Sequence, residues 1–481
     1  MSFYEVKFGT TDAETELLRT PEIFDQAFFD PDDNLDKIIN GYPFIISGRK
    51  GDGKSAYSAK MKRESTVNSD LEVVVESLEN INISFFDKFT ESDLTGGKRY
   101  VPMWQCIILL ELVKYLERRN FSIQAQNYNA LVEALDKMGL LSGTSIENTI
   151  TTLDSTEVCI NVNNWVTYGH HTEKKVVIKG ATDISNTLVQ QLQTIYLGDS
   201  IFRIVLDGLD DILRSQKFRP EIITGLIRAA SELNNTFSGK ALNFKSIILV
   251  RTDILDKCLD PDISKIKTAS SINLCWNIGT NPYESNLAAL ILARFNTTSD
   301  VYPDFMTMWE NYFPPFIDGK DSLSYMLENT LYKPRDVLMF FSFAQKLMGK
   351  KDRKITEAEF KSILITYSEE YFYSYLQDEL SGFLPDSAIS ELPHVISKIG
   401  SRRFDFYTFD SEIKKHTEFN ETSSEEILKN LFDRGYIGQY RKRPDHPKDE
   451  FLFYKHINKR QQYEKDDDCV IHRGLIRAFG I

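Results

Sequence analysis

At 481 residues the chain exceeds what one hydrophobic core ordinarily organises, so two or three domains are expected. Apolar residues make up 42%, charged residues 26% and aromatic residues 12%, which excludes general disorder and fits a globular chain. A net charge of −13 excludes a protein that coats nucleic acid non-specifically, while leaving room for a local basic face.

The five cysteines (Cys106, Cys159, Cys258, Cys275 and Cys469) are dispersed without a C-x-x-C pair, which fits a reducing compartment and supplies no zinc framework. The start "MSFYEVKFGTTDAETELL" has no basic region followed by an apolar run, so no secretory signal is expected. The most apolar stretch, "CIILLELV", is too short to span a bilayer and contains Glu111. A cytoplasmic protein with no membrane partner is expected.

Residues 11–40 read as short helices, with "DPDDN" as an acidic turn before "LDKIING". "FIIS" is a short buried strand, and "LEVVVESL" is a second. From about 80 to 198 the chain detours. "VPMWQCIILLELVKYLERR" and "NYNALVEALDKMGLL" have helical spacing, "EVCINV", "WVTYG" and "KKVVIKG" alternate like ribbon strands, and "DISNTLVQQLQTIYLG" is again helical. "FRIVLDGLDD", "FKSIILVRTDIL" and "SINLCWNI" are three further strands, separated by helices such as "EIITGLIRAASELNN". Such alternation predicts βαβ units and a parallel sheet. A helical stretch then runs from "ESNLAALILARFN" past "YKPRDVLMFFSFAQKLM" to about 350. His170-His171 reads as loop, and no histidine spacing suggests a metal site.

Gly48-Arg49-Lys50-Gly51-Asp52-Gly53-Lys54-Ser55, continued by Ala56, satisfies G-x-x-x-x-G-K-[ST], the phosphate-binding P-loop. Its glycines let backbone amides turn toward phosphate oxygens in conformations that a Cβ disfavours. The helix after it presents its positive end to the same phosphates. Lys54 is expected at the β- and γ-phosphates, and Ser55 on Mg²⁺.

"IVLDGLDD" supplies the second half of such a site. Asp207 at the end of an apolar strand is the expected metal partner, and Asp210 or Asp211 the expected catalytic acid. In "IILVRTD", Arg251, Thr252 or Asp253 ends a strand expected between the P-loop and Asp207 strands, near the γ-phosphate. In "LYKPRDVL", Pro334 opens a helix and Arg335 is a candidate γ-phosphate contact from a lid. Arg228, Arg251 and Arg294 are candidates for an arginine acting in trans.

The order P-loop, "hhhhDGLDD", "LVRTD", a strand containing Trp276 and a helical "KPRD" lid resembles the AAA+ and STAND P-loop ATPases, on their origin-recognition side. More narrowly, "FGTTDAETELL", "GRKGDGKSA", "DGLDDIL" and "KPRD" resemble a family of bacterial P-loop ATPases met near phage-defence genes. The resemblance covers about 1–350 and implies ATP as the nucleotide. Gly208 stands where many AAA+ proteins have the catalytic Glu.

Near the C-terminus, "EEILKNLFDRGYIGQY" followed by "EFLFYKHI" looks like a winged helix. Arg441, Lys442 and Arg443 head a basic segment suited to duplex DNA, although the acidic run Glu464, Asp466, Asp467, Asp468 follows closely.

The expected architecture is therefore an α/β P-loop NTPase, a parallel sheet flanked by helices, over 1–285 with an insertion at about 80–198. A helical lid over 286–355 and a winged-helix-like domain over 356–481 complete it. The expected function is an ATP-hydrolysing switch with Mg²⁺, a regulatory subunit in bacterial antiviral defence acting as a homo-oligomer or on an effector. An origin-recognition-like DNA binder and a scaffold with structural ATP are the alternatives.

Overall fold

The computed structural model describes residues 3–79, 94–123, 126–143, 146, 149, 159–167, 170–209, 219–276, 279–298, 302–443 and 446–481. Contacts divide the chain into two compact units, Asp30–Leu274 and Met1–Phe29 with Cys275–Ile481.

In the first unit, β1 (Ile45–Gly48) and β2 (Leu71–Ser77) are followed by an antiparallel ribbon, β3 (Cys159–Thr167) and β4 (His170–Lys179). Then come β5 (Ile201–Asp207), β6 (Asn243–Arg251) and β7 (Ser271–Asn273). Outside the ribbon these strands form one parallel sheet in the order β2-β5-β6-β1-β7. Central β6 is buried along nearly its whole length, which is why it reads as a continuous apolar run rather than an alternating one.

The helix Val101–Arg118 from the detour joins this core. It packs on the helices Gly180–Leu192 and Pro220–Phe237 and buries Met103, Trp104, Ile107, Leu110 and Val113. Apolar residues on every side of a helix require such enclosure. Trp104 Nε1 donates to the Ile222 carbonyl at 3.0 Å, and Glu111 is paired with Lys114 at 3.1 Å in the interior.

Two local expectations give way here. The three ribbon runs form two strands, and His170-His171 opens β4 rather than a loop, because His170 pairs with Thr167. Trp276 lies beyond β7, since β7 runs beside β1 and β1 leads into the loop at Gly48.

The second unit begins with Phe3 and Phe8 inserted among Phe295, Tyr312 and Phe341, with Phe8 stacked on Phe341 at 4.8 Å. Gln345 Nε2 donates to the carbonyls of Phe3 and Val6, at 2.9 and 2.7 Å, and Trp276 packs against Phe29. Helices Asn286–Asn296, Phe305–Tyr312, Ser322–Leu327, Pro334–Met348 and Glu357–Thr366 follow. Among them lies a hairpin absent from the sequence reading, β8 (Phe316–Ile317) and β9 (Lys320–Asp321). Its turn is Asp318-Gly319, both at positive φ, which is the dipeptide a two-residue hairpin favours.

A π-helical turn, Tyr367–Phe372, leads into Tyr373–Leu380. The helix Asp386–Ile399, β10 (Arg403–Phe404), the helices Phe406–Ile413 and Ser424–Arg434, β11 (Ile437–Arg443), β12 (His446–Phe453) and β13 (Asp468–Ile471) complete the unit. The sheet order is β10-β13-β11-β12. The expected returning strand is the outer β12, and β13 takes the inner place because Cys469, Val470 and Ile471 are buried there. One hydrophobic cluster runs from Phe3 to Phe479 through both the 286–355 helices and the C-terminal segments. No helix among the described residues is long and apolar enough to cross a membrane.

Candidate nucleotide-binding site

β1 ends at Gly48 and the helix Lys54–Val67 starts six residues beyond it, so the chain must reverse within a few residues. Gly51 and Gly53 make this possible at φ +85° and +97°, a region that costs a residue with a Cβ roughly 1–2 kcal/mol. A Cβ on Gly48 would lie 3.2 Å from Asp52 Cβ and 3.4 Å from Leu274 Cβ.

Asp52 is buried and braces the loop from inside. Its carboxylate accepts from the Arg49 amide at 2.7 Å and from Arg49 Nε at 3.3 Å. Lys54 is also buried, its Nζ donating to the carbonyls of Gly48 and Arg49, both at 3.3 Å. Those bonds are long for an ammonium, so exchanging them for charge-assisted bonds to phosphate oxygens costs little.

Ser55 Oγ donates to Asp207 Oδ2 at 3.0 Å. The fold brings this hydroxyl and carboxylate together because β5, which ends in Asp207, lies in the same parallel sheet as β1, with β6 between them. A hydroxyl and one carboxylate fit a hard cation such as Mg²⁺, which keeps several waters and shares nucleotide phosphates. No group of three or more His, Cys, Asp or Glu suited to a metal occurs among the described residues, and such a shared ion needs none.

Past Asp207, Gly208 has φ +83°, and its amide donates to Asp207 Oδ1 at 2.7 Å. A Cβ there would lie 2.7 Å from Glu79 Cγ and 3.0 Å from Ser77 Oγ. Glycine at this position therefore has a structural reason: the exit of β2 occupies the space of a side chain. Ser77 pairs with Asp207 across the β2-β5 register, and Glu79 follows it. Neither was legible as a site residue, because only strand register puts them beside Asp207. Neighbouring Glu76 is pushed up to about 7 by burial and then by Glu111, and belongs to the interior cluster with Glu111 and Lys114.

Asp210 and Asp211 lie outside the described residues. Arg251 is in register with Gly48, and its guanidinium is held by Asp253 through bonds of 2.9 and 2.8 Å, while Thr252 begins the next short helix. Arg335 is in the second unit, half-buried in the first turn of Pro334–Met348, 6.0 Å from the Tyr375 ring centre.

Like Arg251, the other two arginines considered for action in trans have partners within the chain. Arg228 Nη2 lies 2.7 Å from Asp260 and 3.0 Å from Asp262. Arg294 is buried against Glu16 and the Phe8 carbonyl.

At the C-terminal ribbon, Arg441 is bound to Asp467 at 2.6 Å and Gln461 at 3.0 Å and stacks on Phe453. Lys442 is exposed and stands across from Glu450, and Arg443 across from His446. Arg403 bridges Glu450 and Asp468. Within the basic segment Arg441 is thus neutralised by Asp467, while Glu450 and Asp468 are taken up by Arg403.

Strand order, glycine loop and the Ser55–Asp207 pair together define a P-loop NTPase fold with one strand between the loop strand and the acidic strand. A model of the FunZ-associated C-terminal helical domain matches residues 285–375. The chain is similar to the putative transposon gamma-delta 80.3 kDa protein of Escherichia coli (strain K12), 23% identical over 455 residues, covering 90% of this chain and 61% of that protein. It thus spans about three-fifths of the length of that curated relative.

Among solved structures, Aeropyrum pernix ORC1 in complex with DNA aligns at 11% identity and TM-score 0.39, over 96% of this chain and 92% of that one. Aeropyrum pernix ORC2 in its ADPNP-ADP complexes aligns at 11% identity and TM-score 0.41, over 91% and 94%. Cdc6p from Pyrobaculum aerophilum aligns at 11% and 0.32, over 98% and 97%. The fold assignment rests on the strand order and the loop.

Proposed function

We propose that the chain is an ATP-binding AAA+-type ATPase working as a nucleotide-dependent switch. The observation that carries this reading is the Ser55 Oγ–Asp207 contact at 3.0 Å beside a loop with two glycines at positive φ. In this reading the loop amides and Lys54 hold the phosphates, and Ser55 and Asp207 hold Mg²⁺ through oxygen and water. Magnesium neutralises phosphate charge and orients the γ-phosphoryl group.

Asp210 and Asp211 remain the proposed acids that orient water, with Glu79, packed against Gly208, as a further candidate. Arg335 is the proposed lid contact, so that loss of the γ-phosphate changes lid position. The proposed setting, bacterial antiviral defence, follows from the sequence resemblance. Phage challenge of cells carrying wild type or Lys54→Ala tests it.

Duplex DNA is the second reading, proposed from the winged-helix-like sequence pattern and the exposed Lys442, and the internal pairing of Arg441 counts against it. Phosphate release from ATP with Mg²⁺, with and without duplex DNA, tests both. Turnover lost in Lys54→Ala and Asp207→Ala supports the ATPase, and stimulation by DNA advances the second reading. ATP bound but not turned over would leave a structural nucleotide, and no ATP binding would overturn the proposal.

A further inference from the structure

At the opposite end of the same sheet's strands lies a polar cavity of about 290 Å³, near the N-terminal ends of β5 and β6. Its basic lining is Arg203, Lys240 and Lys245, with the amides Asn235 and Asn243 nearby, and no acidic side chain lines it. Arg203 and Lys245 are paired directly across neighbouring strands and are only 5% and 8% exposed. Two like charges side by side in the interior are costly unless something compensates them.

What the protein supplies is neutral. Arg203 Nε donates to the Ile39 carbonyl at 2.7 Å, and Nη1 to the Phe202 carbonyl at 2.9 Å and to Asn243 Oδ1 and its carbonyl at 3.2 and 3.3 Å. Lys245 Nζ donates to the carbonyls of Gly41 and Pro43, at 2.9 and 3.2 Å. Arg203 Nη2 and the third Lys245 proton have no partner among the described residues.

A purely structural role would have the cations cap the helices Asn34–Asn40 and Pro220–Phe237, whose C-terminal ends meet here. Each such end contributes roughly half a negative charge. Two ends therefore offset about one cation and leave the other uncompensated, with Lys240 added at the exposed rim. Burial, and to a lesser degree Arg203, hold the Lys245 ammonium down at about 7.

We propose that this cavity binds the phosphate group of a small molecule, independently of the P-loop. Arg203 Nη2, Lys245, Lys240 and Asn235 offer donors from two strands, the last turn of the helix and the turn after it, more than a planar carboxylate uses. The volume admits a phosphate with a small organic body.

Isothermal titration at constant ionic strength tests this, using the full chain with Lys54→Ala so that the P-loop competes less. The probes are inorganic phosphate, phenyl phosphate and acetate. One saturable phosphate site is expected, with Kd raised about tenfold or more by Lys245→Met and by Asn235→Asp. Asn235 is exposed, so that second variant keeps the core intact. No saturable heat, or an unchanged Kd in both variants, would overturn the site. Acetate binding as tightly as phosphate would overturn the phosphate assignment.

Discussion

Ser55 Oγ and Asp207 Oδ2 meet at 3.0 Å across 152 positions of sequence. One residue ends the glycine loop and the other ends a strand two places away in the sheet. If the pair shares Mg²⁺ with ATP, Ser55→Ala and Asp207→Asn will both weaken binding of Mg-ATP more than of free ATP. Lys54→Ala will weaken both forms, since a charged hydrogen bond contributes about 1.5–3 kcal/mol, or roughly ten- to over a hundredfold. Titration with a fluorescent ATP analogue, with and without magnesium, checks the split.

Gly208 is expected to resist substitution. Gly208→Ala must hold φ near +83° and displace Glu79, so a loss of at least about 1–2 kcal/mol is expected in urea unfolding. Stability unchanged from wild type would show that the end of β2 shifts freely.

Arg294 and Glu16 form a buried ion pair in the second unit. Removing one partner strands a charge in the interior, so Glu16→Ala should destabilise by about 3–5 kcal/mol. The paired change Glu16→Leu with Arg294→Met should recover most of that loss in thermal melts. A trans-acting arginine at 294 would behave differently: Arg294→Lys would fold normally, lose turnover, and regain part of it when mixed with Lys54→Ala subunits.

His472 is enclosed by Phe372, Tyr454 and His456, and its Nδ1 accepts from the Gly474 amide at 3.1 Å. Burial, then Arg402 and Arg473, lower its pKa from 6.5 to about 3. Between those values the unfolded chain binds the additional proton, so stability is full above 6.5 and falls as pH drops below it. At pH 5 the loss is about 2 kcal/mol. Hydrogen exchange in 468–479 should therefore quicken between pH 7 and 5, after correction for intrinsic rates. His472→Asn should remove most of that change.

The P-loop was legible because its requirements are local. A strand, glycines for positive φ and a helix start all lie within about twenty neighbouring residues, and each leaves its mark on residue type. Asp318-Gly319 carried an equally local hairpin signal, passed over inside a helical pattern. The four-residue β13 and its inner place left little trace, because so short a run after an acidic stretch is indistinguishable from loop.

By itself, the sequence determined that an apolar strand, a glycine loop and a helix would form a phosphate-binding turn, and that parallel βαβ units would surround it. Tertiary structure alone decided that Ser77 and Glu79 border Asp207 and that Glu16 neutralises Arg294. It alone set Arg203 beside Lys245 over a cavity without acids. The reason is physical: backbone conformation is governed by a residue and its near neighbours, whereas side-chain partners depend on strand order and register. Those follow from burying the whole apolar surface at once, which no short stretch of chain encodes.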